Sequence, residues 1–203
     1  MSIKQITTAT PEGEAFLRQV STPIDFENAG DVQVMRETAG ILVDFCNGNS
    51  CYAMAAPQLG KHVRMMCIKH DQQDLTAAPV LNKIIVNPEI IEMTGETEWW
   101  ESCMSCIDRN GNGDFARVKR PYKMRLKFYD LDGKQHTGDF EGFVVTALSH
   151  ERDHLDGILH RDRAEELLTG VPPEERNERR KSSPYKILRK AGKFTYARPL
   201  KRK

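Results

Sequence analysis

Ser149-His150-Glu151-Arg152-Asp153-His154-Leu155-Asp156-Gly157 carries the pattern His-Glu-x-x-His. On an α-helix, residues four apart share one face, so the imidazoles of His150 and His154 reach a single metal ion. Glu151 follows the first imidazole directly, where a carboxylate accepts a proton from a water activated by that ion. The preceding run Gly142-Phe143-Val144-Val145-Thr146-Ala147-Leu148 is apolar enough to bury the helix, and Gly157 predicts its C-terminal stop. Two imidazoles are one ligand short, because a catalytic zinc-type site takes three protein ligands and keeps one position open.

The chain has 203 residues and a net charge of +1. That length suits one domain with tails and a real core. The near balance of charge excludes a global field that would announce a nucleic-acid partner. No apolar run approaches the ~20 residues needed to span a bilayer, and residues 1–10 lack the continuous apolar centre of a secretory signal. Five cysteines, an odd number without a dense framework, suit a reducing compartment and a thiol–metal role. The expectation is a cytoplasmic protein with no membrane partner.

Apolar residues at helical spacing predict a helix over 29–47, with Val32, Met35, Ala39, Leu42, Val43 and Cys46 on its buried face. Residues 17–23 read as a short extended or turn segment, 63–69 as a strand and 71–74 as a loop. A strand over 80–91 is interrupted at Pro88. Residues 108–114 are turn-rich and read as an excursion from the core. Residues 123–130 alternate charged with apolar, a half-buried strand, and Asp132-Gly133 signals a hairpin to a return strand over 136–140. Many short strands with one helix before and one after argue for an α+β domain with a largely antiparallel sheet. The expected division is a loose leader at 1–14, a catalytic domain at 15–170 and a charged, basic tail at 171–203, ending Arg198-Pro199-Leu200-Lys201-Arg202-Lys203. Such a tail is either solvated or a contact for RNA or an acidic partner.

Cys103 is the candidate third ligand, since metal coordination holds a thiolate deprotonated. Three clusters then stand in order: Ala55-Ala56-Pro57-Gln58, Glu101-Ser102-Cys103-Met104-Ser105 and His150-Glu151-Arg152-Asp153-His154. Together they resemble the peptide deformylase family, with lesser matches at Leu17-Arg18, Ser21-Thr22-Pro23 and Asn87-Pro88-Glu89. The resemblance covers roughly residues 15–165. It implies antiparallel sheets around the helix of His150 and His154. It also implies removal of the formyl group from N-terminal formyl-methionine of new polypeptides. The implied cofactor is one divalent ion, Fe2+, replaceable by Ni2+, Co2+ or Zn2+, held by Cys103, His150 and His154. A hydroxide formed at that ion is the implied nucleophile and Glu151 the general base and acid, while the Gln58 amide and the Met104 backbone N–H stabilise the oxyanion.

Tyr52, Ala53, Met54, Ser102 and Ala147, with Leu148, match the family's substrate-binding region, and Arg120 is a further candidate for holding the substrate. For each, packing or solvation is the plain alternative. Asp153 is read either as orienting a histidine or as a surface residue, and Glu101 as the partner of a basic strand residue such as Lys127. Cys51 and Ala53 stand where the family has glycines, Ser102 replaces the glycine before the ligand cysteine, and Ser149 replaces a glutamine. These departures bear on substrate preference. Two rival readings remain open: a closed structural Cys₂His₂ site of Cys103, Cys106, His150 and His154, and a deformylase-like scaffold that binds formylated peptides, or ribosomes through its basic tail.

Overall fold

The computed structural model describes residues 5–49, 51–68, 83–182 and 186–193. Its backbone is ordered around one strand, β3 (Lys83–Ile107), which runs 25 residues. At ~3.3 Å per residue a straight strand of that length would overrun any small domain, so it must bend. It does so by bulging and changing partners. β2 (Met65–Ile68) pairs with its start, β5 (Lys123–Tyr129) with residues from Val86 to Thr94, and β4 (Gly113–Arg120) with residues from Thr97 to Ile107. All of these pairings are antiparallel.

Pro88 does not end the strand as the sequence suggests. Its missing N–H falls where the register with β5 shifts, between Val86 and Glu89, and a bulge tolerates that loss. Asn87 takes a φ of 47° there, a conformation that asparagine accepts more readily than most residues. Its side chain is fixed from both ends: Oδ1 accepts from the Ile24 N–H at 2.9 Å and Nδ2 donates to the Ile24 carbonyl at 2.8 Å. The turn at 108–112 is no excursion either. Asp108 Oδ1 accepts from the N–H groups of Asn110 and Asn112, and Asp108 N–H bonds the Asn112 carbonyl, which makes a tight hairpin into β4.

β5 buries Met124, Leu126 and Phe128 and exposes Lys123 and Arg125, as its alternation predicts. It pairs with β6 (Gln135–Glu141) through the Gly133 turn, where φ is +75°. Helix α2 (Ala29–Asn49) buries Met35, Ala39, Leu42, Phe45 and Cys46 against Met54, Leu59, Met65 and Val86. Helix α3 (Phe143–Leu155) lies in a second core with Met66, Ile85, Leu126, Phe128 and Phe140. Ten of its 13 residues are buried, so its polar residues face protein rather than water.

Both ends of the chain hold structure that composition hides. Within the expected leader, the Ile6 N–H bonds the Gln58 carbonyl and the Thr8 N–H bonds the Ser105 carbonyl, each at 2.8 Å. Helix α1 (Pro11–Leu17) follows, capped by Thr10, whose side chain accepts from the Gly13 N–H. That helix occupies the start of the segment read as extended. Beyond β7 (Ala164–Val171), which pairs with β4, the expected tail forms α4 (Pro173–Ser182) and β8 (Lys186–Lys193), the latter paired with β3. The loop expected at 71–74, residues 80–82 of the strand expected over 80–91 and the basic run 198–203 lie outside the described residues.

The stop after α3 is built by Gly157, with φ +69°. A Cβ there would stand 2.3 Å from the Arg18 carbonyl oxygen. The approach is used: the Ser21 N–H and Arg64 Nη1 both donate to the buried Leu155 carbonyl at the helix end. Gly157→Ala therefore destabilises the protein by roughly 1–3 kcal/mol through strained backbone and lost approach, read as a lower urea midpoint at unchanged slope.

Candidate metal centre

β3 and α3 meet at three side chains. Cys103 Sγ lies 3.2 Å from His154 Nε2. One ligand atom from each of Cys103, His150 and His154 falls within 4.8 Å of the others. Cys103 and His154 are buried and His150 is half-buried, so an ion held there would be enclosed by protein on one side and open to the solvent-filled space beside His150 on the other. Burial alone would push the Cys103 thiol up. The Cys106 thiol donating to it and the neighbouring His154 and His150 outweigh that and hold it well below its ordinary value, in the thiolate form a metal needs. The Ser105 N–H, at 3.4 Å, adds a donor to the same sulfur.

His150 is oriented from the strand. Its Nδ1 donates to Glu101 Oε2 at 2.9 Å, which leaves the Nε2 lone pair for an ion. Glu101 is gripped in turn by Arg120, Nε to Oε1 at 2.7 Å and Nη2 to Oε2 at 2.9 Å. Arg120 Nη1 also donates to Asp153 Oδ2 at 2.6 Å, and Asp153 takes two further bonds from Arg163. Two carboxylates and two guanidiniums thus form a neutral buried chain. Burial would raise the Glu101 carboxyl, yet the Arg120 charge and His150 hold it well below the usual carboxylate range.

Three expectations are corrected by this network. Arg120 is 2% exposed and does not line the cleft, so it is no substrate ligand. Asp153 is no surface residue: it is buried and held by Arg120 and Arg163. Glu101 pairs with Arg120 and His150, while Lys127 pairs with Glu89. The closed four-ligand site does not form among the described residues: Cys106 groups with Cys103 and His160, apart from His150 and His154.

A cleft of about 390 Å³ opens beside the ligands. Tyr52, Ala53, Met54, Gln58, Ser102, Met104, Ala147 and Glu151 all line it, whereas Leu148 turns into the core. Cys51, singled out as a replaced glycine, lines it too, and so do Trp99, Phe143 and Thr146, which were not singled out from sequence. Periodicity carried a signal for two of them. Trp99 shares the strand face of Glu101 and Cys103, and Phe143 stands one and two turns before Ala147 and His150. The Phe143 ring packs edge-on against Tyr52 and Trp99, with centroids 5.4 and 5.6 Å away.

Gln58 sits in a 3-10 turn, Ala56–Leu59. The Ala55 N–H donates to its Oε1 at 2.8 Å, which fixes the amide so that Nε2 faces Cys103 Sγ at 3.5 Å and Ser105 Oγ at 3.2 Å. Glu151 Oε2 is buried with no partner among the described residues, and burial raises its pKa. The side chains at the glycine positions strain nothing: among the described residues Asn87 is the only non-glycine with positive φ, so Cys51, Ala53 and Ser102 occupy ordinary backbone. Ser149 Oγ bonds the Val145 carbonyl one turn back at 2.7 Å, a local use of its hydroxyl.

The family model for polypeptide deformylase matches residues 3–169. The chain belongs to the peptide deformylase family. The peptide deformylase of Mesorhizobium japonicum is 34% identical over 155 residues, covering 76% of this chain and 81% of that protein. That of Dictyoglomus thermophilum is 33% identical, covering 74% and 92%. Among solved structures, a peptide deformylase from Legionella pneumophila superposes with a TM-score of 0.61 at 26% identity, covering 89% of this chain and 92% of its own. Peptide deformylases are metalloenzymes, and the donors here fit one divalent ion: a thiolate, two imidazoles and an unpartnered carboxylate oxygen beside them.

Arg120→Met leaves Glu101 and Asp153 buried with their shared cation gone. The expected loss is about 3–5 kcal/mol, measured by chemical denaturation, with weakened metal retention as His150 loses its fixed orientation.

Proposed function

We propose that the cleft hydrolyses the formamide of formyl-methionyl peptides, turning R–NH–CHO and water into a free amine and formate. Cys103, His150 and His154 hold the ion. The donor set of one soft and two borderline ligands suits Fe2+, with Ni2+, Co2+ or Zn2+ able to replace it. When bound, the ion supplies a Lewis acid that lets water attack near neutral pH. The single observation that carries the reading is Glu151 Oε2, buried in the cleft beside the ligands and unpartnered. Glu151 takes the proton of the attacking water and delivers it to the departing amine.

Negative charge grows on the formyl oxygen during attack. Gln58 Nε2, aimed by the Ala55 N–H on its other end, donates to that oxygen together with the Met104 backbone N–H. The apolar wall of Tyr52, Met54, Phe143 and Ala147, with Trp99, takes the methionine side chain, whose thioether favours aromatic edges. Strand β1 (Ala53–Ala55) pairs with β2 alone among the described residues. Its open edge at Ala53, which lines the cleft together with Ser102, suits an extended peptide added as a further strand.

Five free cysteines support a reducing, cytoplasmic setting, and no helix among the described residues is long and apolar enough to cross a membrane. We propose a catalytic domain over 15–170, to which the segment at Ile6 and Thr8 and strand β8 are both hydrogen-bonded, with the charged stretch of 171–203 as its tail. The basic run 198–203 supports contact with ribosomal RNA. Removing residues 194–203 then weakens ribosome association and flattens its salt dependence; unchanged binding rejects that contact.

Anaerobic deformylation of formyl-Met-Ala-Ser tests the main reading. Glu151→Gln keeps its metal, measured by elemental analysis, and loses at least about 100-fold in kcat. Gln58→Ala loses roughly 100- to 1000-fold in kcat. A fully metallated wild-type chain inert toward a panel of formyl peptides rejects the assignment.

A further inference from the structure

Cys106 and His160 are buried, metal-ligating side chains that the hydrolytic chemistry does not use. Residues three apart in a regular strand point to opposite faces. Here the register between β3 and β4 shifts between Ser102 and Ile107, and the irregularity brings Cys106 to the same side as Cys103. His160 arrives from the 3-10 turn His160–Arg163. One ligand atom of each of Cys103, Cys106 and His160 lies within 4.8 Å of the other two, and all three residues are at most 2% exposed.

The ring of His160 supplies an independent sign of a ligand. Its Nε2 donates to the Asp114 carbonyl at 3.3 Å, which fixes the tautomer and leaves Nδ1 with a lone pair. That Nδ1 is buried without a partner among the described residues. A neutral imidazole nitrogen left bare in a core, on a ring grouped with two sulfurs, is costly unless something accepts its lone pair.

We propose that Cys103, Cys106 and His160 form a second metal site, selective for a thiophilic ion such as Zn2+, that shares Cys103 with the hydrolytic site. Two thiolates neutralise a dication, so the loaded site carries no net charge into the core; binding releases the thiol protons to solvent. The second thiolate distinguishes this set from Cys103, His150 and His154 and shifts its preference toward softer ions. Hard cations find no oxygen donor in it. Cys103 cannot be a terminal ligand at both positions. Zinc at the second site therefore strips the hydrolytic ion of its thiolate and arrests turnover, a consequence that rests on the role given to Cys103 above.

The test uses the full chain with His150→Ala and His154→Ala, titrated anaerobically with Co2+. One equivalent binds with a thiolate-to-cobalt absorption band, Zn2+ bleaches it, and adding Cys106→Ala or His160→Ala removes it. A folded double variant without the band, or a band that survives both further changes, overturns the site. If the double variant does not fold, wild-type protein loaded with Ni2+ is assayed on formyl-Met-Ala-Ser. One further equivalent of Zn2+ lowers its rate at least about tenfold, a chelator restores it, and Cys106→Ala resists, each rate taken against that protein's own zinc-free rate. Equal inhibition of both proteins, or none, overturns the proposal. Absent turnover before zinc is added rejects the hydrolase reading instead, and metal stoichiometry of wild type against Cys106→Ala then decides the second site.

Discussion

A guanidinium buried between two carboxylates governs this molecule. Arg120 leaves β4, Glu101 stands on β3, Asp153 on α3, and Arg163 closes the row from the turn beyond the helix. Taking each ion out of water costs several kcal/mol, recovered only when every partner is in place. A docking of α3 on the sheet that misses the register leaves a bare charge in the core. The same row ends at His150 Nδ1, so correct assembly of the fold and correct aim of a ligand are one event.

β3 makes that assembly possible by being long and irregular. Its first residues build the core under α2, its middle pairs with the β5–β6 hairpin, and its last part carries Glu101, Cys103 and Cys106. Each change of duty coincides with a shift of register. The bulge past Ser102 has the largest chemical effect, because it places two thiols on one side where a regular strand would part them.

The helix of His150 and His154 and the ligand role suggested for Cys103 were legible because spacing and motif order are local properties of a sequence. The strand alternation at 123–129 was legible for the same reason. The pairing of Arg120 with Glu101 and Asp153 was not, since which charges meet is decided by three elements far apart in the chain. Pro88 misled because a missing N–H harms a strand only where the ladder needs it, and a bulge does not. The C-terminal segment misled through composition: Lys186–Lys193 reads as charged, yet its backbone pairs with β3. His160 carried no spacing signal, because it follows the helix by a turn whose geometry only Gly157 hints at.

The N-terminal strap sets the order in which such a site can come into being. Ile6 and Thr8 hang their amides on the carbonyls of Gln58 and Ser105, and Gln5 reaches Ser105 across a separation of 100 residues. This segment must therefore wait for partners made much later, and the two histidines emerge later still. Contacts of this span make for slow folding. Half-made chains offer Cys103 without His150 and His154, so the group of three donors is incomplete until synthesis has passed His154. Assembly of that donor group is consequently a late step in the making of the chain, completed only after most of the sheet has its strands.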